Sequence, residues 1–176
     1  MFRDNSLIPA EAVRLAALGL LVEAPRRYGD LAAEIRHFTG CLVGPSLDLM
    51  GTSLELLRYE GLIEAVDGEG MADNAVLQPT STGKAALLAL LKAQLRSPLA
   101  DVNRLALFLK LRFLHHLPAA EQTAQRQLIA EALESERTRL DELRRRPGAP
   151  PLLGNWLARD IALLDERIAW LRGNGA

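Results

Sequence analysis

A chain of 176 residues, 49% hydrophobic and with a formal net charge of −1, can bury the core of one ordinary domain or two small ones, which excludes disorder as its default state. The near-neutral balance gives no global attraction to nucleic acid or to an anionic membrane, and no apolar run reaches the ~18–20 residues of a membrane span. The single cysteine, Cys41, excludes an internal disulfide and fits a reducing, cytoplasmic setting.

The first predicted helix runs from Pro9 to about Glu23, with Val13, Ala16, Ala17, Leu20 and Leu21 on one face. Glu11 and Arg14 interrupt its apolar run and no small-residue cleavage site follows, so it does not read as a signal peptide. Ala24-Pro25 ends it. A second helix is expected over Gly29–Phe38, carrying Leu31, Ile35 and Phe38 inward and stopping at Gly40. A third is expected over Pro45–Glu60, capped by Ser46 and ended by Gly61, with Leu47, Met50, Leu54 and Leu57 buried.

Two short strands follow, Leu62–Val66 and Ala75–Gln78, joined through Asp67-Gly68-Glu69-Gly70. A fourth helix spans about Ser81–Leu95, and Ser97-Pro98 punctuates the chain. Helices are then expected over Asp101–His116, Pro118–Arg146 and Leu152–Arg172, with the last two separated by Pro147-Gly-Ala-Pro-Pro151. The expected fold is mainly α: an N-terminal winged helix-turn-helix with a two-stranded wing over residues 1–96, then a helical dimerisation arm over 97–176.

Four segments carry a resemblance. Leu18-Gly-Leu-Leu-Val-Glu-Ala-Pro-Arg-Arg-Tyr-Gly29, Leu54-Glu-Leu-Leu-Arg-Tyr-Glu-Gly-Leu-Ile63, Leu77-Gln-Pro-Thr-Ser-Thr-Gly-Lys-Ala-Ala-Leu87 and Leu107-Phe-Leu-Lys-Leu-Arg-Phe-Leu-His-His-Leu-Pro118 occur in the order found in PadR-like regulators. Over nearly its whole length the chain resembles that family, joined to a virulence-activator-type C-terminal helical region. The resemblance implies a homodimer held by C-terminal helices, with the third helix in the DNA major groove. The chain departs from the family where a Tyr-Pro-Thr-Leu run is usual: Gly51, Thr52 and Ser53 stand there. The wing also departs, carrying Glu60, Glu64, Asp67, Glu69 and Asp73 with no basic residue between Arg58 and Lys84.

Charge sharpens the question. Residues 1–90 hold seven Lys/Arg against twelve Asp/Glu, a balance of −5, whereas residues 91–176 stand at +4. Phosphate neutralisation supplies most nonspecific DNA affinity, so a DNA-reading half at −5 works against its own field. The candidate DNA contacts are Arg26, Arg27, Tyr28, Ser46, Thr52, Ser53, Arg58 and Lys84. The candidate dimer contacts are Phe108, Leu111, Leu114, Leu163 and Trp170, an apolar set too large for one arm to bury.

Other constellations read as structural. Thr82-Gly83-Lys84 resembles the end of a P-loop, but Gln78 stands where the upstream glycine is required and Ala85 follows the lysine. His115 and His116 are adjacent on a helix, so they point about 100° apart, whereas chelation prefers i, i+4; they read as a polar helix end, with no metal site. Cys41 reads as a buried or half-buried structural thiol. No catalytic constellation or cofactor motif stands out, and the linking helix has no aromatic residue to stack a flat ligand. Two readings follow: a homodimeric regulator of double-stranded DNA, or a winged-helix dimer that has lost DNA binding and engages a protein partner. Neither involves a membrane or an enzymatic reaction.

Overall fold

The computed structural model describes residues 9–43, 50–66, 74–95, 101–147 and 150–173. The elements run α1 (Pro9–Glu23), β1 (Arg26–Arg27), α2 (Tyr28–Val43), α3 (Met50–Tyr59), β2 (Ile63–Ala65), β3 (Val76–Pro79), α4 (Ser81–Lys92), α5 (Asp101–Phe113), a 3-10 turn (Leu114–His116), α6 (Ala119–Arg144) and α7 (Pro151–Arg172). The fold is mainly helical with one small antiparallel sheet.

Helix α1 is the hub. Ala12, Val13, Leu15, Ala16, Ala17, Leu18, Leu20 and Leu21 are all buried, so the helix is enclosed around its circumference rather than on the single face expected. Helices α2, α3, α4 and α5 and strand β3 all pack on it. Small alanines interleaved with leucines let these elements approach from several directions at once.

Helix α3 stops through a Schellman motif. Gly61 adopts φ +70°, the Leu62 amide donates to the Leu57 carbonyl at 2.9 Å, and the Gly61 amide donates to the Arg58 carbonyl at 2.9 Å. The turn delivers the chain into β2. Strand β3 lies in the middle of a three-stranded sheet, ordered β1-β3-β2, with Arg26 opposite Leu77 and Glu64 opposite Gln78. The expected two-stranded hairpin therefore gains a third strand. Pro25 breaks the helix, and the two residues after it extend far enough to pair with Val76 and Leu77.

Thr80 caps α4, its hydroxyl accepting from the Gly83 amide at 3.0 Å and donating to the Gly61 carbonyl at 2.7 Å. Helix α2 does not stop at Gly40 but runs to Val43. The cost of one glycine in a helix, about 1 kcal/mol, is small beside the packing of Leu31, Ile35 and Phe38 on the core. That continuation turns Cys41 outward: the thiol is exposed, not buried as expected.

Helix α5 serves two cores. Leu105, Ala106, Leu109 and Phe113 complete the first core with α1–α4, while Leu107 and Leu111 pack on a second core of Ile129, Ala130, Leu133, Leu164, Ile168 and Leu171. Helices α6 and α7 form an antiparallel hairpin, fastened by Arg137–Asp165 at 2.5 Å and Arg172–Glu134 at 2.8 Å. No helix among the described residues is long and apolar enough to cross a membrane.

Candidate nucleic-acid interface

Arg26, Arg27 and Tyr28 share one edge of the sheet, where β1 passes into α2, and the Tyr28 amide donates to the Ala75 carbonyl at 2.9 Å. The two arginines face different fates. Arg26 is half-buried and committed within the chain: it pairs with Glu34 at 2.6 Å and with Glu23 at 3.9 Å. Arg27 is exposed and makes no ion pair among the described residues, so its guanidinium is available to a phosphate.

Arg58 is exposed in the last turn of α3, beside Tyr59, which is 89% exposed. Lys84 is exposed in the first turn of α4. Neither is joined to Arg26, Arg27 or Tyr28 by a hydrogen bond or ion pair among the described residues. Ser46 and the acidic loop residues Asp67, Glu69 and Asp73 lie outside the described residues, as do the side chains of Thr52 and Ser53 on α3. On the sheet, Gln78 donates to exposed Glu64 at 2.9 Å, and Arg14 of α1 pairs with Glu60 just after α3.

Sequence reasoning overlooked Arg112. It pairs with Glu34 at 3.0 Å, and its guanidinium lies 5.4 Å from the Phe38 ring centroid and 5.3 Å from that of Phe113. Arg26, Glu34 and Arg112 thus tie the start of α2 to α5. The partners are far apart in sequence, and no local pattern announces them.

Four of the five candidate dimer residues converge. Phe108, Leu111, Leu163 and Trp170 line one open groove of about 550 Å³ between α5, α6 and α7. Leu163 and Trp170 are 49% and 54% exposed. Leu114 is elsewhere: at 8% exposure it belongs to the first core, because the 3-10 turn folds it under the bundle.

The histidines also depart from expectation. The backbone leaves α geometry at Phe113 (φ −104°, ψ 7°), and the rings of His115 and His116 lie 4.1 Å apart, centroid to centroid, against the C-terminal end of α1. One donor atom each from Glu23, His115 and His116 fall within 4.8 Å of one another. Burial, and then the neighbouring His115, hold the His116 imidazole below the usual histidine range, with Glu23 opposing them. Thr82-Gly83-Lys84 sits in the first turn of α4, where Gly83 is buried.

Compared with known proteins, residues 2–174 match a family described as "Putative AphA-like transcriptional regulator". The chain belongs to that family. The match spans nearly the whole sequence, so it covers the sheet edge, α3 and the α5–α7 groove together. Among curated proteins, none matches the chain.

Proposed function

We propose that this AphA-like chain is a homodimeric, PadR-like winged-helix regulator that binds double-stranded DNA at an inverted-repeat operator. Family membership carries the regulatory role. Support for the winged-helix reading comes from the order of elements: three helices, then the β2–β3 hairpin as a wing, with α3 in the position of a recognition helix. In this reading Arg27, Arg58 and Lys84 contact phosphates, and the reading domain covers residues 1–96.

Support for the dimer comes from α7. Leu157, Ile161, Leu164, Ile168 and Leu171 are buried, yet Trp156, Leu163 and Trp170, spaced seven apart, are exposed along the same helix. A second apolar row on a helix that has already buried its first calls for a partner, and a second copy supplies one with matching chemistry. Residues 97–176 then act as the dimerisation arm, with α5 linking it to the reading domain. Sedimentation analysis should give twice the 19.3 kDa chain mass for the wild type, and Leu163→Glu/Trp170→Glu should shift it to monomer. A wild-type monomer at micromolar concentration would refute the arm.

DNA binding is tested by gel shift at low salt with fragments flanking the protein's own gene. Arg27→Ala should weaken binding and lower the salt slope by about 0.9 for each phosphate left without its cation, hence about twice that in a dimer. Arg26→Ala should instead lower stability, because Arg26 is held by Glu34. One set of observations favours a second reading, a dimer that engages a protein: Arg26 is committed internally, and residues 1–90 carry −5. Absence of binding to every fragment, with an intact dimer, would decide for it.

A further inference from the structure

We propose that Glu23, His115 and His116 form a site for a divalent transition-metal ion, zinc(II) foremost, at the junction of α1 and the 3-10 turn after α5. Two imidazoles and a carboxylate are a donor set that zinc takes in tetrahedral sites. Their donor atoms already lie within 4.8 Å of one another. A tetrahedral zinc ion spaces its ligands by about 3.4 Å, so side-chain rotations that close the gaps by about 1.5 Å complete the site.

Three features prepare these groups as ligands. His115 Nδ1 lies 3.0 Å from the Arg112 carbonyl. A carbonyl only accepts, so Nδ1 carries the proton and Nε2 keeps its lone pair, the outer-shell arrangement of metal-bound histidines. His116 Nε2 is buried with no hydrogen-bond partner among the described residues, and burying such a nitrogen is costly unless something satisfies it. The Glu23 carboxylate is only loosely held, its ion pair with Arg26 being 3.9 Å long. The His116 ring is backed by Phe113, stacked at 6.1 Å between centroids, while His115 and Glu23 are exposed. One side of the site is therefore fixed by the core, and the other is open to an entering ion and a water ligand.

The site joins two elements remote in sequence, so occupancy would clamp α1 to the end of α5. It stands independently of the DNA reading, and its test involves no DNA. Tag-free full-length protein, stripped with chelator, is titrated with zinc sulfate by calorimetry, and with cobalt(II) to read visible d–d bands. One ion should bind per chain. His115→Ala and Glu23→Gln, both at exposed side chains, should each weaken binding by at least about tenfold and diminish the cobalt bands. His37→Ala, at an exposed histidine on α2, should leave both unchanged, and circular dichroism verifies that each variant is folded. Wild-type binding no tighter than that of folded His115→Ala, or equal losses in His37→Ala, would overturn the proposal.

Discussion

The Gly83→Ala variant is expected to lose about 3 kcal/mol of stability, a fall of roughly 6–12 °C in Tm, although alanine is the better helix former. At an ordinary helical position this substitution stabilises by about 1 kcal/mol. Here an added Cβ would meet the Leu62 carbonyl oxygen at 2.0 Å and its carbon at 3.0 Å. The obstacle is backbone, and it cannot swing aside. The Leu62 carbonyl accepts from the Thr80 amide at 3.1 Å, and the Leu62 amide is held by the Leu57 carbonyl at 2.9 Å. Relief therefore requires lifting α4 away from the α3–β2 turn, which also breaks the Thr80 hydroxyl's bond to the Gly61 carbonyl and the Thr80 amide's bond to the Leu62 carbonyl. Thermal unfolding of the purified variant checks this; a Tm equal to or above that of the wild type would contradict it. Gly83, which invites comparison with a phosphate-binding loop, is thereby explained by helix-to-backbone packing.

Much of this architecture was legible because its signals are local. Leucine spacing marked the helices, and Pro25 and Gly61 stand where the chain breaks; α1 falls on the predicted residues. What was missed depends on residues far apart in sequence. Strand β1 is two residues long, too short for periodicity to register, and exists only because Val76 and Leu77 lie alongside it. The expectation of a buried Cys41 fails because tertiary packing carries α2 past Gly40. Of the candidate interface, Arg27, Arg58 and Lys84 do emerge at the surface. Arg26 does not stay free, since Glu34 of α2 claims it and Arg112 shares that carboxylate from α5. Helical geometry alone points the histidine pair apart, whereas the backbone there leaves the α-helix and Glu23 arrives from α1. Charge counting could foresee none of these pairings, because it sums residues without knowing which of them meet.

Raising the pH from 7.5 to 10.5 is expected to stabilise the wild type, relative to Lys110→Met, by about 3 kcal/mol. Lys110 is 1% exposed. Its ammonium donates to the Ala93 carbonyl and to Gln125 Oε1 (2.9 Å), and Gln125 Nε2 reaches the Lys92 carbonyl at 3.5 Å. This polar node pins the end of α4 to α5 and α6, and a cation there complements the terminal carbonyls of α4. Two neutral oxygens do not replace the hydration of an ammonium, so burial lowers the pKa from 10.5 to about 8. Below about pH 8 both folded and unfolded chains carry the proton, and the folded state bears the full desolvation cost. Between about 8 and 10.5 the unfolded chain binds the proton and the folded chain does not, so stability rises with pH. Methionine at 110 fills a similar volume without titrating, so its own stability supplies the reference for every other group that titrates in this range. Urea unfolding of both proteins at pH 7.5, 9 and 10.5 reads the effect as a growing difference in favour of the wild type. A flat or shrinking difference would mean that the ammonium is not desolvated in the folded chain. The same cost explains why the node is held by three elements at once. A lysine that is expensive to bury persists only where its bonds secure a junction, and here the junction is the one through which α5 connects the first core to the α6–α7 hairpin.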